Sequence, residues 1–201
     1  MKYLSNQLLD ELYTQTETNI GKAITEWQQL SNLVLITQPG PGQWSAAQCL
    51  EHLNSYGRYY LPAITKAISK APGNNSSNYF KSGFLGNYFY KMMLPQNDGK
   101  PKKKLKAPKD HEPGNQLNAA VVLSEFISQQ ELFGQLLTRI RVIDINKVKV
   151  PISIAPFIKL KLGDVLLFLV AHIQRHILQA ERALAATGNS IKTNNKIFQE
   201  N

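Results

Sequence analysis

The chain has one cysteine, Cys49, among its 201 residues. One cysteine cannot form a disulfide within the chain, so the fold does not require an oxidising compartment. The longest apolar run, Val165 to Ala171, is far shorter than the roughly 20 residues that cross a bilayer. The N-terminus carries acidic residues where a secretory signal would have its apolar stretch. These absences predict a cytoplasmic protein with no membrane association.

Acidic residues are scarce relative to basic ones. The chain has 14 Asp+Glu against 23 Lys+Arg, which leaves a formal charge of +9. An excess of this size raises the question of an anionic partner such as nucleic acid. However, six of the lysines fall within the short run Lys100–Lys109, without interleaved aromatic residues or a groove-entering helix. We interpret the run as a solvated loop and do not expect a nucleic-acid partner.

Helical periodicity is the strongest pattern in the sequence. Apolar residues recur at spacings of three and four in four long segments, which predicts four amphipathic helices. The first ends near residue 31, and the others cover about 45–71, 116–141 and 164–186. The aromatic-rich piece from Tyr79 to Leu94 predicts a short extra helix. The fold class that follows is an all-α four-helix bundle with a long loop between helices 2 and 3.

Local signals place the ends of these helices. Ser45 and Gln48 have the spacing of a capping box at the start of the second helix. The short first connection predicts that the first two long helices are antiparallel neighbours. Residues 147–162 contain two prolines and predict an extended connection. Thr187-Gly188-Asn189 predicts a left-handed cap at the end of the fourth helix, so we expect one domain over 1–188 and a polar tail over 189–201.

Two histidines share one face of the fourth predicted helix. His172 and His176 are four residues apart, and this spacing returns to nearly the same side of a helix. The face is apolar, so each ring needs a partner for its polar nitrogens. A divalent metal is one such partner. Ile173 follows the first histidine where a zinc protease needs its glutamate base, so the pair is not a zincin motif.

A third ligand would come from the second helix. His52 lies two turns inside that helix, beside its apolar stripe, and a facing helix in a bundle can supply such a ligand. The prediction is a metal site of His52, His172 and His176. The alternative is that these histidines are core residues that other hydrogen bonds satisfy.

Two blocks of the sequence resemble a known family. Gln43 to Leu53 (QWSAAQCLEHL) and Leu162 to Gln179 (LGDVLLFLVAHIQRHILQ) are similar to the two signatures of the DinB-like superfamily, the DinB/YfiT-type metalloenzymes. The resemblance extends from about Leu4 to Leu184 in the same helix order. Lys161 stands where the family often has Ser or Thr at the start of the last helix.

The resemblance implies a four-helix bundle that binds a divalent metal through three histidines, which correspond here to His52, His172 and His176. Members with known activity include bacillithiol S-transferases and mycothiol-dependent isomerases, so it also implies a low-molecular-weight thiol as a candidate cofactor. Family members often pair, which makes a homodimer an expectation. Nitrogen ligands do not choose sharply among Zn, Ni, Fe and Mn.

Other residues have both a functional and a structural interpretation. Gln179 and Tyr56 are candidates for contact with a metal ligand or a substrate; Gln179 is otherwise a polar residue near the bundle end, and Tyr56 a core residue. Cys49 is expected to be buried and inert rather than a catalytic thiolate. Arg175 is expected to pair with an acid at the surface rather than to bind an anionic substrate. His111, in the polar loop, is expected to be solvated.

The function class that follows is a metal-dependent enzyme, a transferase of thiol S-transferase type or a hydrolase, which acts on a small molecule. A metal on three neutral imidazoles keeps its full charge and can activate water or a thiol. The alternative is a non-catalytic binding or stress-response protein with a structural or vestigial metal site. No residue is assigned as catalytic.

Overall fold

Helices make up most of the structure. A computed structural model describes residues 1–73, 75–95 and 105–197, with 188–197 as backbone alone. The α-helices are α1 (Ser5–Lys22), α2 (Asn32–Ile36), α3 (Ala46–Ser69), α4 (Phe84–Met93), α5 (Ala119–Ile140) and α6 (Leu162–Ile197). A π-helical turn, Ala23–Trp27, extends α1, and a 3-10 turn, Lys109–His111, precedes α5. Within the described ranges, no helix combines the length and apolar character needed to cross a bilayer.

Two small antiparallel sheets accompany the helices, so the all-α prediction holds only broadly. One sheet pairs β1 (Lys2–Leu4) with β2 (Tyr79–Lys81), and the other pairs β3 (Lys149–Ile152) with β4 (Ala155–Lys161). The predicted extended connection over 147–162 therefore folds back on itself as a hairpin.

The hairpin escaped prediction because a proline interrupts its first strand. Pro151 pairs with Lys159, and a bulge follows between Pro151 and Ile152. Both strands of a two-stranded sheet are edges, where proline is tolerated. Val150 and its partner Leu160 are buried, so the hairpin adds apolar surface to the core.

The four long helices pack in a pattern that differs from the predicted one. α3 packs against both α5 and α6, whereas α1 packs mainly on α5 and less on α6. The prediction that the first two long helices, α1 and α3, are neighbours is wrong. Their connection is not a tight turn, because it contains α2, which packs against α3, α5 and α6.

The last helix is longer than its capping signal predicts. The structure continues α6 to Ile197, past the predicted end near Ala186. A glycine inside a helix costs about 1 kcal/mol relative to alanine, so Gly188 disfavours continuation without forbidding it. The division into a domain and a tail remains a prediction.

The buried side chains form two apolar clusters along the long helices. One contains Tyr56 and Leu169, and the other contains Leu53 and Ile173. On α6, His172 lies between Val170 of the first cluster and Ile173 of the second. His52 lies on α3 between Leu50 and Leu53, which both belong to the second cluster.

Candidate metal centre

Helices α3 and α6 bring three histidines together. The predicted capping box starts α3: the Ser45 hydroxyl accepts from the Gln48 amide, and the Gln48 side chain accepts from the Ser45 amide. His52 then lies two turns into α3 and faces His172 and His176 on α6. These histidines are 3%, 3% and 7% exposed. One ring nitrogen from each lies within 4.8 Å of the others, and such a group could hold a metal ion.

A backbone carbonyl sets the tautomer of His52. The Nδ1 atom of His52 lies 2.6 Å from the carbonyl oxygen of His111. A carbonyl only accepts hydrogen bonds, so Nδ1 carries the proton and donates. The neutral ring then has its lone pair on Nε2, which lies 3.2 Å from Nε2 of His172. A backbone acceptor for the second ring nitrogen is the usual arrangement of a histidine that ligates a metal.

The nitrogen spacing fits a shared cation. Two imidazoles on one tetrahedral zinc, each about 2.0–2.1 Å from the ion, place their nitrogens about 3.3 Å apart. The 3.2 Å between Nε2 of His52 and Nε2 of His172 matches that value. The Nδ1 atoms of His172 and His176 are buried and have no hydrogen-bond partner among the described residues. A metal on Nε2 of His172 would not give its Nδ1 atom a partner, so the fit to a divalent metal rests on the Nε2 spacing and on the three neutral imidazole donors.

Burial keeps the three rings neutral. Removal from water lowers the pKa of His52 to about 4, although the hydrogen bond to the His111 carbonyl opposes this shift. Burial also lowers the pKa of His172 and His176 well below the ordinary value, and the positive charge of Arg175 adds to the effect on all three. Neutral imidazole is the form that binds metals.

A large cavity lies beside the histidines. Its volume is about 950 Å³, and all three histidines line it. The two contact candidates, Tyr56 and Gln179, also line it. The Tyr56 ring centre is 4.4 Å from that of His172. A hydrogen bond between the Gln179 side chain and the His176 ring partly opposes the lowering of the His176 pKa by burial.

His111 was not predicted as part of the site, and the expectation that it is solvated is wrong. Its side chain is buried, its ring stacks on Tyr56 with centroids 3.9 Å apart, and its Nδ1 lies 2.9 Å from the Ser55 hydroxyl. The segment around His111 has no periodic pattern, so the sequence contained no signal for this contact.

Arg175 and Trp44 were also missed as parts of the site. Arg175 is 8% exposed and lines the cavity, so its expected position at the surface is wrong. The Trp44 ring lies 4.9 Å from the His52 ring and 5.9 Å from the His176 ring. Trp44 immediately precedes the capping box, and that position was the only signal available for it.

Cys49 is buried, as predicted, and burial raises its pKa to about 12. It does not belong to the group of potential ligands found among the described residues. The basic run Lys100–Lys109 is described only from residue 105 onwards, and its residues 100–104 lie outside the described part of the chain. Within the described part, Lys106 lines the cavity.

Comparisons with known proteins agree with the resemblance seen in the sequence. The family model of the DinB superfamily matches residues 15–180. No curated protein and no solved structure gives a significant match. The matched region contains all three histidines and covers most of the 201 residues. The chain therefore belongs to the DinB superfamily.

Proposed function

We propose that the chain is a metal-dependent enzyme that acts on a small molecule. His52, His172 and His176 hold the metal, and the adjoining cavity receives the substrate. The reaction is transfer of a thiol to an electrophile, with a low-molecular-weight thiol as co-substrate, or a hydrolysis. The metal is Zn, Ni, Fe or Mn. In this proposal α1, α3, α5 and α6 are the four helices of the predicted bundle, and two chains pair as a homodimer.

The single observation that carries the proposal is that three donors line a cavity. Structural zinc sites complete a tetrahedron with four protein ligands, whereas catalytic sites have three protein ligands and leave a position for substrate or water. Among the described residues, the group of potential ligands consists of three histidines. All three line the 950 Å³ cavity. This arrangement favours a catalytic metal over a structural one.

When bound, a divalent cation supplies Lewis acidity and lowers the pKa of a thiol or water that reaches it. The chain's own residues orient the ligands and shape the cavity. The His111 carbonyl holds the His52 ring, and the Trp44 ring covers His52 and His176. Burial raises the pKa of Tyr56, so its hydroxyl stays protonated at neutral pH and is able to donate a hydrogen bond to a substrate.

Elemental analysis of tag-free protein tests the metal site. The parent, stripped and reloaded separately with Zn²⁺, Ni²⁺, Fe²⁺ and Mn²⁺, is compared with the double variant His172→Ala/His176→Ala. The matched control is Gln174→Ala, because Gln174 lies between the two histidines but hydrogen-bonds to Gln15 on α1. Circular dichroism checks the fold, and His172→Gln/His176→Gln replaces the alanine variant if that variant does not fold.

We expect near-stoichiometric metal in the parent and in the control, and loss of metal in the double variant. A parent that holds none of the four metals after reloading would overturn the proposal. Water-proton relaxation of the Mn²⁺-loaded protein then separates a catalytic from a structural metal. A strong enhancement supports a coordination position open to solvent, and no enhancement argues for the non-catalytic alternative. A screen of thiol plus electrophile pairs and of esters completes the test, with the double variant as the blank.

A further inference from the structure

A buried arginine lies in the wall of the cavity beside the histidines. Arg175 directly precedes His176 on α6 and is 8% exposed. Its Nη1 donates to the Met92 carbonyl oxygen at 3.4 Å. Arginine is seldom buried to this extent, because taking a guanidinium out of water is costly. Because Arg175 lines the cavity, its positive charge is within reach of a ligand that enters.

The charged residues around the cavity are mostly basic. Those described in its lining are Lys106, Arg175 and Arg182, against one carboxylate, Glu112. The three histidines bring no negative charge to compensate a bound dication. A cavity whose walls carry one sign of charge concentrates ligands of the opposite sign. The cavity is therefore suited to an anionic ligand.

Most of the remaining wall is apolar or aromatic. It includes Tyr60, Phe89, Ile152, Ile154 and Phe168. A volume of about 950 Å³ is at the upper end of what small-molecule sites enclose, roughly 300–1,000 Å³. The ligand that fits this lining has a negatively charged group and an apolar body.

We propose that the cavity binds an organic carboxylate with an apolar body, whose carboxylate is held by Arg175 while its other end faces the histidine cluster. The planar guanidinium fork matches a carboxylate and can bind it through two parallel hydrogen bonds. A monoanionic carboxylate also loses less hydration on entering an apolar cavity than a doubly charged phosphate does. The fate of the bound molecule rests on the proposed function, but its binding does not require the metal.

Matched pairs of ligands test the charge requirement. Each pair consists of a carboxylate and its neutral carboxamide: 4-phenylbutyrate, indole-3-propionate and octanoate with their amides. Affinities are measured by NMR titration at fixed ionic strength, with metal-free protein and with protein loaded with Zn²⁺. The variants are Arg175→Gln and Arg175→Lys. The matched control is Arg139→Gln, because Arg139 is an exposed arginine on α5 outside the cavity lining.

We expect the parent to prefer the carboxylate in at least one pair, in metal-free protein as well as loaded protein. Arg175→Gln should weaken carboxylate binding by at least about tenfold, since hydrogen bonds to charged groups are the strong ones, and should leave amide binding within about twofold. Arg175→Lys should weaken carboxylate binding by a smaller factor, because lysine keeps the positive charge but lacks the two parallel N–H donors of the guanidinium. If Arg175→Gln does not fold, the loss in Arg175→Lys against Arg139→Gln decides the test.

Three results would overturn the inference. The first is the absence of a carboxylate preference in every pair, and the second is equal weakening of acid and amide binding in Arg175→Gln. The third is a carboxylate affinity that changes when the metal is removed but not when Arg175 is replaced. Binding that depends on Arg175 in a protein that holds no metal would support this inference and defeat the proposed function. A protein that holds metal but shows no carboxylate preference would support the metal site of the proposed function and overturn this inference.

Discussion

The Nδ1 atom of His52 lies 2.6 Å from the carbonyl oxygen of His111, 59 residues further along the chain. This contact turns the Nε2 lone pair of His52 towards His172. The His111 ring itself is held by Ser55 and Tyr56 of α3. These contacts therefore hold the segment around His111, which lines one side of the cavity, against α3 beside the candidate metal centre.

Removing contacts between the His111 side chain and α3 should lower metal affinity without abolishing metal binding. His111→Ala retains the carbonyl but loses the stack on Tyr56 and the contact with the Ser55 hydroxyl. Ser55→Ala loses that contact and the hydrogen bond that the Ser55 hydroxyl donates to the backbone carbonyl of His52. We expect metal affinity to fall about tenfold in His111→Ala, since partners that orient a metal ligand are typically worth 10–100-fold, and by less in Ser55→Ala. Competition with a chromophoric chelator measures the affinity.

Ser69→Ala is the control for this series, because Ser69 also bonds a backbone carbonyl of α3 but lies at its exposed far end. Metal affinity in His111→Ala equal to that of the parent would show that the carbonyl needs no support from the ring.

Metal removal should lower the stability of the protein. A ligand that binds only the folded state at a free concentration of 100 times its Kd stabilises by about 2.7 kcal/mol. For a chain of about 200 residues that corresponds to a rise of roughly 5–10 °C in Tm. Differential scanning calorimetry with and without chelator measures the shift. His172→Ala/His176→Ala should show no shift, and a chelator effect of the same size in that variant would place the metal elsewhere.

Two glycines should respond to alanine in opposite directions. A Cβ on Gly163, at the start of α6, would lie 2.6 Å from the Phe80 ring, whereas a Cβ on Gly21, in α1, would meet nothing within 4 Å. Gly163→Ala should destabilise by about 1–3 kcal/mol through overpacking. Gly21→Ala should stabilise by about 0.5–1 kcal/mol through helix propensity. Urea denaturation measures both, and a neutral Gly163→Ala would contradict the close approach of α6 to Phe80.

The thiol of Cys49 should be inert in the folded protein. Burial raises its pKa to about 12, so at pH 8 about one molecule in 10⁴ carries the reactive thiolate, against roughly a quarter at an ordinary pKa of 8.5. We expect a disulfide reagent such as DTNB to react more than about 100-fold more slowly with native than with guanidinium-unfolded protein. The signal is unambiguous because the chain has one cysteine. Rapid stoichiometric reaction of the native protein would revive Cys49 as a catalytic candidate.

Much of the helical framework was predictable because its signals are local. The capping box of Ser45 and Gln48 depends on residues three apart, and the common face of His172 and His176 depends on helical periodicity alone. The hairpin of β3 and β4 was not predictable in this way, because Pro151 disrupts its pattern and its pairing is decided by the core on which it packs.

By itself, the sequence determined the helical segments, the two histidines that share a face of α6, and His52 as the candidate third ligand, which the family resemblance then supported. The tertiary structure alone decided that His111 supports His52, that Trp44 covers the centre and that Arg175 enters the cavity. The reason is physical. Helical periodicity specifies the direction of a side chain from its own axis, but its neighbours depend on how separate segments pack, and no local rule contains that information.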